Sequence, residues 1–100
     1  MFLHTVFFWL KPTLSVSQLA DFEKGVTSLR SIESVGTFFV GKPASTRRPV
    51  IDHTYSYKLS ISFADQKNQD AYQIDDIHLL FVSQCSQYWD KVLVYDAEEI

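Results

Sequence analysis

A second cysteine is missing from this chain, so Cys85 has no partner for an internal disulfide, and a reducing compartment is the simpler expectation. A basic excess is missing too. Nine lysines and arginines against twelve aspartates and glutamates leave a formal charge of -3, which argues against the positive footprint of a nucleic-acid-binding domain. No apolar run approaches the ~20 residues of a membrane span. Only three glycines are present, none of them in a phosphate-cradling motif. His4, His53 and His78 show no metal-ligand spacing. The chain is therefore expected to need no cofactor and no metal, and to have neither a nucleic-acid nor a membrane partner.

What is present is enough for one domain with a core. The 100 residues are 46% hydrophobic and 21% charged, outside the range of disordered chains, and a chain of this length buries roughly two-thirds of its unfolded surface. The start, "MFLHTVFFWLKP", lacks a basic leader and a small-residue cleavage site. It reads as a first strand ended by Pro12, and the expected location is cytoplasmic.

The element pattern follows from periodicity. Val16, Leu19, Phe22, Val26 and Leu29 recur at helical spacing. Ser15 and Gln18 have the spacing of a capping box ahead of them. This predicts an amphipathic helix ending near Arg30, with Gly25 weakening it by ~1 kcal/mol. "SVGTFFVGKP" reads as a second strand and "ASTRRPVID" as a loop, in which Arg47 and Arg48 are solvated charges. In "TYSYKLSISF" Tyr55, Tyr57, Leu59, Ile61 and Phe63 alternate with polar residues, as in a half-buried strand. "ADQKNQDAYQ" reads as a short polar helix. Asp75 or Asp76 is placed to cap a further helix to about Asp90, with the helix interrupted between Gln73 and Asp76. Cys85 falls on the buried face of this last helix, with no basic neighbour to activate it. "KVLVYD" is a last strand. Short connections and right-handed crossovers fold this order into an α+β, ferredoxin-like four-stranded antiparallel sheet with helices on one face.

The first strand is apolar on both faces. Phe2, His4, Val6 and Phe8 share one; Leu3, Phe7 and Trp9 lie on the other. Helices cover only one of them. An uncovered apolar face marks an interface, and a second copy packed sheet to sheet is the economical solution. Leu3, Phe7 and Trp9 are thus the expected dimer contacts.

In their order and spacing, "HTVFFWLK", "VGKP", "TYSYKLSISF", "AY" with "IHLLF", and "YWDKVLVYD" resemble the stress-responsive α/β-barrel (Dabb) family over nearly the whole chain. The resemblance implies a homodimeric α+β barrel. One plant member of that family, a polyketide cyclase, uses a tyrosine and a histidine in a pocket between sheet and helices. By that resemblance Tyr72 and His78 are the candidate catalytic pair, and His4 and Tyr57 line the pocket. Tyr57 stands where the cyclase has a pocket histidine, and Asp75 and Asp76 replace a histidine and a proline.

The residues themselves leave both roles open. His78 near a helix start is either a neutral general base or a partly exposed surface histidine. Tyr72 is either its acid partner or a core tyrosine, and six residues of continuous helix would set the two on opposite sides. His4 on an apolar face and Tyr57 on a strand are each also satisfied by core packing. Two functions follow: a dimeric module holding a small hydrophobic or aromatic ligand, or a cofactor-free enzyme of cyclase, isomerase or monooxygenase type using Tyr72 and His78.

Overall fold

A computed structural model describes residues 1–100. Four strands, β1 (Phe2–Leu10), β2 (Phe38–Gly41), β3 (Tyr57–Phe63) and β4 (Trp89–Glu98), are joined by three helices, α1 (Val16–Ser28), α2 (Gln66–Gln73) and α3 (Asp76–Cys85). The sheet order is β2-β3-β1-β4, and every neighbouring pair is antiparallel. This is the ferredoxin-like plan, as the element order predicts.

Local chemistry sets the helix ends. The Ser15 hydroxyl accepts from the Gln18 N–H at 3.1 Å, and the Gln18 side chain accepts from the Ser15 N–H at 2.9 Å, closing the capping box. Asp65 caps α2 through Asn68 N–H, and Asp75 caps α3 through Ile77 N–H at 2.8 Å. Ile74 and Asp75 stand outside both helices, so the expected interruption is present.

Several boundaries move. The regular part of α1 ends at Ser28 and tightens into a 3-10 turn over Leu29–Ser31. α3 stops at Cys85, well before Asp90. A 3-10 turn over Ser86–Tyr88 follows, and Trp89 is already extended because its ring packs against Phe8 and Phe81 at the sheet. The third strand begins at Tyr57 rather than Thr54. Ser56 N–H donates to the Phe8 carbonyl, and the Ser56 hydroxyl accepts from Leu10 N–H. That pinch turns Tyr55 to the opposite face, where its ring lies 5.0 Å from Phe7, so Tyr55 does not share the face of Tyr57.

The core lies between the sheet and the helices. Phe2, Val6 and Phe8 of β1 and Leu59, Ile61 and Phe63 of β3 meet Phe22, Val26, Leu29, Phe81 and Cys85. Phe8, Phe22 and Phe81 meet edge-on or tilted, with centroids 5.2–6.1 Å apart, in the range aromatic pairs prefer. The α1 stripe is buried only from Phe22 onward; Val16 and Leu19 remain exposed.

Gly25 has a reason to be there that periodicity does not show. A Cβ at this position would stand 2.5 Å from Cys85 Sγ and 3.3 Å from the Phe81 ring. The glycine lets α1 and α3 approach. Gly25→Ala gains ~1 kcal/mol of helix propensity but overpacks the core, at a cost of ~1–3 kcal/mol. The expected outcome in urea unfolding is a lower midpoint for Gly25→Ala. Adding Cys85→Ala, which removes the clashing sulfur, should recover part of the loss. A Gly25→Ala protein as stable as wild type would contradict this account of the packing.

Candidate functional site

The cavity between the sheet and the broken helix is small, about 130 Å³. Its floor is apolar, made by Val6, Phe8, Leu59 and Phe81. Four polar side chains line it: His4, Tyr72, Gln73 and His78. The lining residues that remain exposed, Gln73, Val82, Val92 and Val94, mark the mouth between α3 and β4. β4 is an edge strand that no helix covers, which is why Val92 and Val94 are 39% and 44% exposed on the inner face.

Tyr72 occupies the middle of the polar group. Its ring centroid is 4.8 Å from that of His78 and 5.7 Å from that of His4. The break at Ile74 and Asp75 makes this possible. Tyr72 is carried by the last turn of α2 and His78 by the first turn of α3, and the change of axis turns both toward the same space. The Asp75 cap therefore positions the pair.

Burial shapes the chemistry of both groups. It pushes the Tyr72 phenol well above its ordinary value, so at neutral pH Tyr72 is a hydrogen-bond donor and not a phenolate. It also holds His78 below the ordinary histidine value, against the opposing influence of the Gln73 backbone and the Asp75 carboxylate, with His4 adding slightly to the lowering. His78 is thus a neutral imidazole near pH 7. Desolvation is the leading cause. No hydrogen bond of good geometry reaches the buried Nδ1 atom of His78, and the Gln73 backbone is the polar group that acts most on the ring.

His4 is deeply buried, and its Nδ1 lies 2.6 Å from Asp96 Oδ1. Register explains the pairing: His4 of β1 stands directly opposite Asp96 of β4. Asp96 fixes the ring and gives this buried histidine its hydrogen bond. Sequence reasoning missed Asp96, because only strand pairing joins two residues 92 positions apart. It also missed Gln73, whose sole local signal is its place just before the helix break.

Tyr57 lies elsewhere, and the expectation that it shares the Tyr72–His78 cavity is corrected. It lines a separate recess of about 240 Å³ between α1 and the β2 edge, with Glu23 and Lys42. Its hydroxyl donates to Glu23 Oε2 at 2.9 Å. Burial and this carboxylate push its phenol up to about 12. The α1 carboxylate captures the hydroxyl, and Phe22 packs over the ring. A wider groove of about 670 Å³ runs between α1 and α3, lined among others by Asp21, Lys24, Leu80, Ser83 and Cys85. No converging set of catalytic groups lines it.

Leu3, Phe7 and Trp9 lie on the sheet face away from the helices, as alternation along β1 requires. They share it with Phe39, Leu93 and Tyr95 by strand register. The loop before β3 reaches onto the same face: Tyr55 packs on Phe7, and Trp9 Nε1 donates to the Thr54 hydroxyl at 3.0 Å. Lys91 Nζ sits 4.5 Å from the Trp9 ring centroid. Phe7 and Trp9 are half-buried as a result, while Leu3 is 39% and Phe39 56% exposed.

The chain is similar to several solved structures across its whole length. An Arabidopsis thaliana protein superposes with a TM-score of 0.83 at 23% identity, covering 100% of this chain and 96% of that one. A Dabb family protein with a ferredoxin-like fold from Mesorhizobium loti superposes with a TM-score of 0.79 at 27% identity, covering 99% and 96%. A dimeric ferredoxin-like protein of unknown function from Thermobifida fusca gives 0.77 at 12% identity, covering 96% and 88%. The same fold is also found in a hydroxynitrile lyase from Passiflora edulis and in an antibiotic biosynthesis monooxygenase, at 16% and 11% identity, where likeness speaks for fold alone. No curated protein sequence matches the chain. The family model for the stress responsive A/B barrel domain matches residues 2–99, and the chain belongs to that family, the Dabb domains.

Proposed function

We propose that this protein is a homodimeric barrel whose cavity binds a small, largely apolar carbonyl compound and transfers a proton on it, with His78 as base and Tyr72 as acid partner. The observation that carries this reading is the meeting of the Tyr72 and His78 rings, centroids 4.8 Å apart, in one cavity with an apolar floor. In this reading His78 takes a proton from the carbon next to the carbonyl. The electron pair of that C–H bond moves to the carbonyl oxygen, giving an enolate that the Tyr72 hydroxyl stabilises. Return of the proton from His78 to the same carbon gives exchange or epimerisation there, and its return to another carbon of the conjugated enolate completes an isomerisation. His4, held by Asp96, supports the Tyr72 ring from the other side. No step draws on a cofactor.

The dimer rests on the open sheet face. Leu3, Phe7 and Trp9, with Phe39, Leu93 and Tyr95, form an apolar surface of the kind that marks an interface, and the Thermobifida fusca relative with this fold is a dimer. Each large side chain buried there contributes ~1.5–3 kcal/mol. Trp9→Asp is expected to give monomer or aggregate by light scattering. A folded wild-type monomer at micromolar concentration would remove the dimer from the proposal.

Proton transfer is tested by deuterium exchange next to the carbonyl of small ketones in heavy water, followed by proton NMR. Removing a positioned base typically lowers a rate by ~10²–10⁴, so His78→Ala is expected to lose that factor while remaining dimeric. Tyr72→Phe, which removes an oxyanion donor, is expected to lose ~10²–10³. Exchange that His78→Ala leaves unchanged would sink the acid–base reading.

His78 also links stability to pH. Its folded value lies below its unfolded value, so the unfolded chain binds the proton first as pH falls. Stability is then complete above the unfolded histidine value, near 6.5, and declines as pH drops through it toward the folded value. The expected result is a fall in the urea midpoint between about pH 7.5 and pH 5 that is smaller in His78→Gln. An equal fall in both proteins would place the titrating group elsewhere.

A further inference from the structure

A chain of hydrogen bonds on the open sheet face has only one possible direction. The indole N–H of Trp9 donates and cannot accept; the carboxylate of Asp52 accepts and cannot donate. The Thr54 hydroxyl stands between them, 3.0 Å from Trp9 Nε1 and 2.7 Å from Asp52 Oδ1. Its proton therefore points to Asp52, and a lone pair faces the indole. Asp52 is itself set by the turn, because the same Oδ1 accepts the Thr54 backbone N–H at 2.8 Å, a local closure that aspartate favours in loops. These bonds hold its carboxyl below the ordinary value, so it stays an acceptor at neutral pH.

The ring is held as well as its nitrogen. Lys91 stands directly across from Trp9 on β4, with its Nζ 4.5 Å from the indole centroid. Tyr55, next in the loop, packs on Phe7 with centroids 5.0 Å apart. Residues 52–55 thus grip both large aromatics that β1 presents on this face. They end a connection, residues 42–56, far longer than the short turn that the antiparallel pair β2 and β3 needs. The extra length is spent on the open face. Tryptophan is a frequent anchor of interfaces, and a side chain already fixed loses less freedom on association.

We propose that Asp52 and Thr54 preset the Trp9 indole as the anchor of the interface between two copies of this chain, so that the loop before β3 controls how tightly they associate. The face is the one on which the dimer proposed above is built, and the assignment rests on that dimer. Asp52 and Thr54 are positioning residues that act through Trp9. A two-fold axis uses every contact twice, so any loosening of the indole is felt twice.

The test is association. Analytical ultracentrifugation of the full chain gives the dimer dissociation constant for wild type and for variants that keep the wild-type circular dichroism. Freeing one side chain costs a factor of about two to ten. Counted twice, Thr54→Val is expected to raise the dissociation constant about five- to a hundredfold. Thr54→Ser, whose hydroxyl also donates and accepts, should restore wild-type association. Asp52→Ala leaves the hydroxyl unanchored and should weaken the dimer by less than Thr54→Val; it carries the same test if the valine variant does not fold. The deciding comparison is made in Trp9→Phe, which has no indole N–H. There Thr54→Val should change nothing further, whereas a threonine that only held the loop together would weaken the dimer equally in both backgrounds. Equal effects in the two backgrounds, or a dissociation constant that Thr54→Val leaves unchanged, would overturn the assignment while the dimer stands. A monomeric wild type would remove the dimer itself, and this assignment with it.

Discussion

A helix running unbroken from Gln66 to Cys85 would carry Tyr72 and His78 on opposite sides, since six residues advance 600° around the axis. Two residues prevent this. Ile74 leaves helical geometry, and Asp75 takes an extended backbone from which its carboxylate accepts the Ile77 N–H. An N-cap of this kind contributes ~1 kcal/mol, a modest energy for what it arranges. The last turn of one helix and the first turn of the next then present a tyrosine, a glutamine and a histidine to a single space above β1. Without that break the sheet would still pack, but its cavity would have a different polar lining.

The sheet supplies the other half of the arrangement. Alternation along β1 sends Phe2, His4, Val6 and Phe8 toward the helices. Of these, His4 alone is polar, and its burial is tolerated because β4 brings Asp96 into register beside it. An unpartnered polar group at this depth would cost ~1–3 kcal/mol. The hydrogen bond removes that cost and fixes the ring against Tyr72. The edge position of β4 has a second effect: with no helix across it, Val92 and Val94 leave the cavity open toward solvent. The last strand thus sets access to the cavity and fixes one of its polar groups.

Much of this is legible in the sequence, and the parts that are not share a cause. Ser15 with Gln18, the alternation from Tyr57 to Phe63, and the aspartates before Ile77 are local signals, and each appears in the structure as the element it announces. The errors arise where a residue answers to a distant one. Tyr55 continues the strand alternation, yet it turns away because Ser56 bonds to Phe8 and Leu10. Tyr57 has the aspect of a cavity residue, yet Glu23 on α1 takes its hydroxyl. Asp96 looks like a solvated charge near the end of a strand until register sets it against His4. Gly25 reads as a flaw in a helix until the sulfur of Cys85 is seen where its side chain would be. Pairing across the sheet and contact between helices decide these cases, and neither is written in a window of ten residues.

The close approach at Gly25 bears on how this molecule can be watched. Cys85 is the only thiol in the chain, nearly inaccessible and pushed above the usual thiol value by burial. With Gly25 of α1 close to its sulfur, Cys85 is only 2% exposed at the floor of the groove between α1 and α3. Labelling by a bulky reagent is expected to need the two helices to part. The chain therefore carries its own clock for the breathing of its helical layer. At low reagent concentration the rate at which Cys85 is consumed reports the fraction of time that layer is open, and at saturating reagent it reports how often the layer opens, without any foreign probe being introduced.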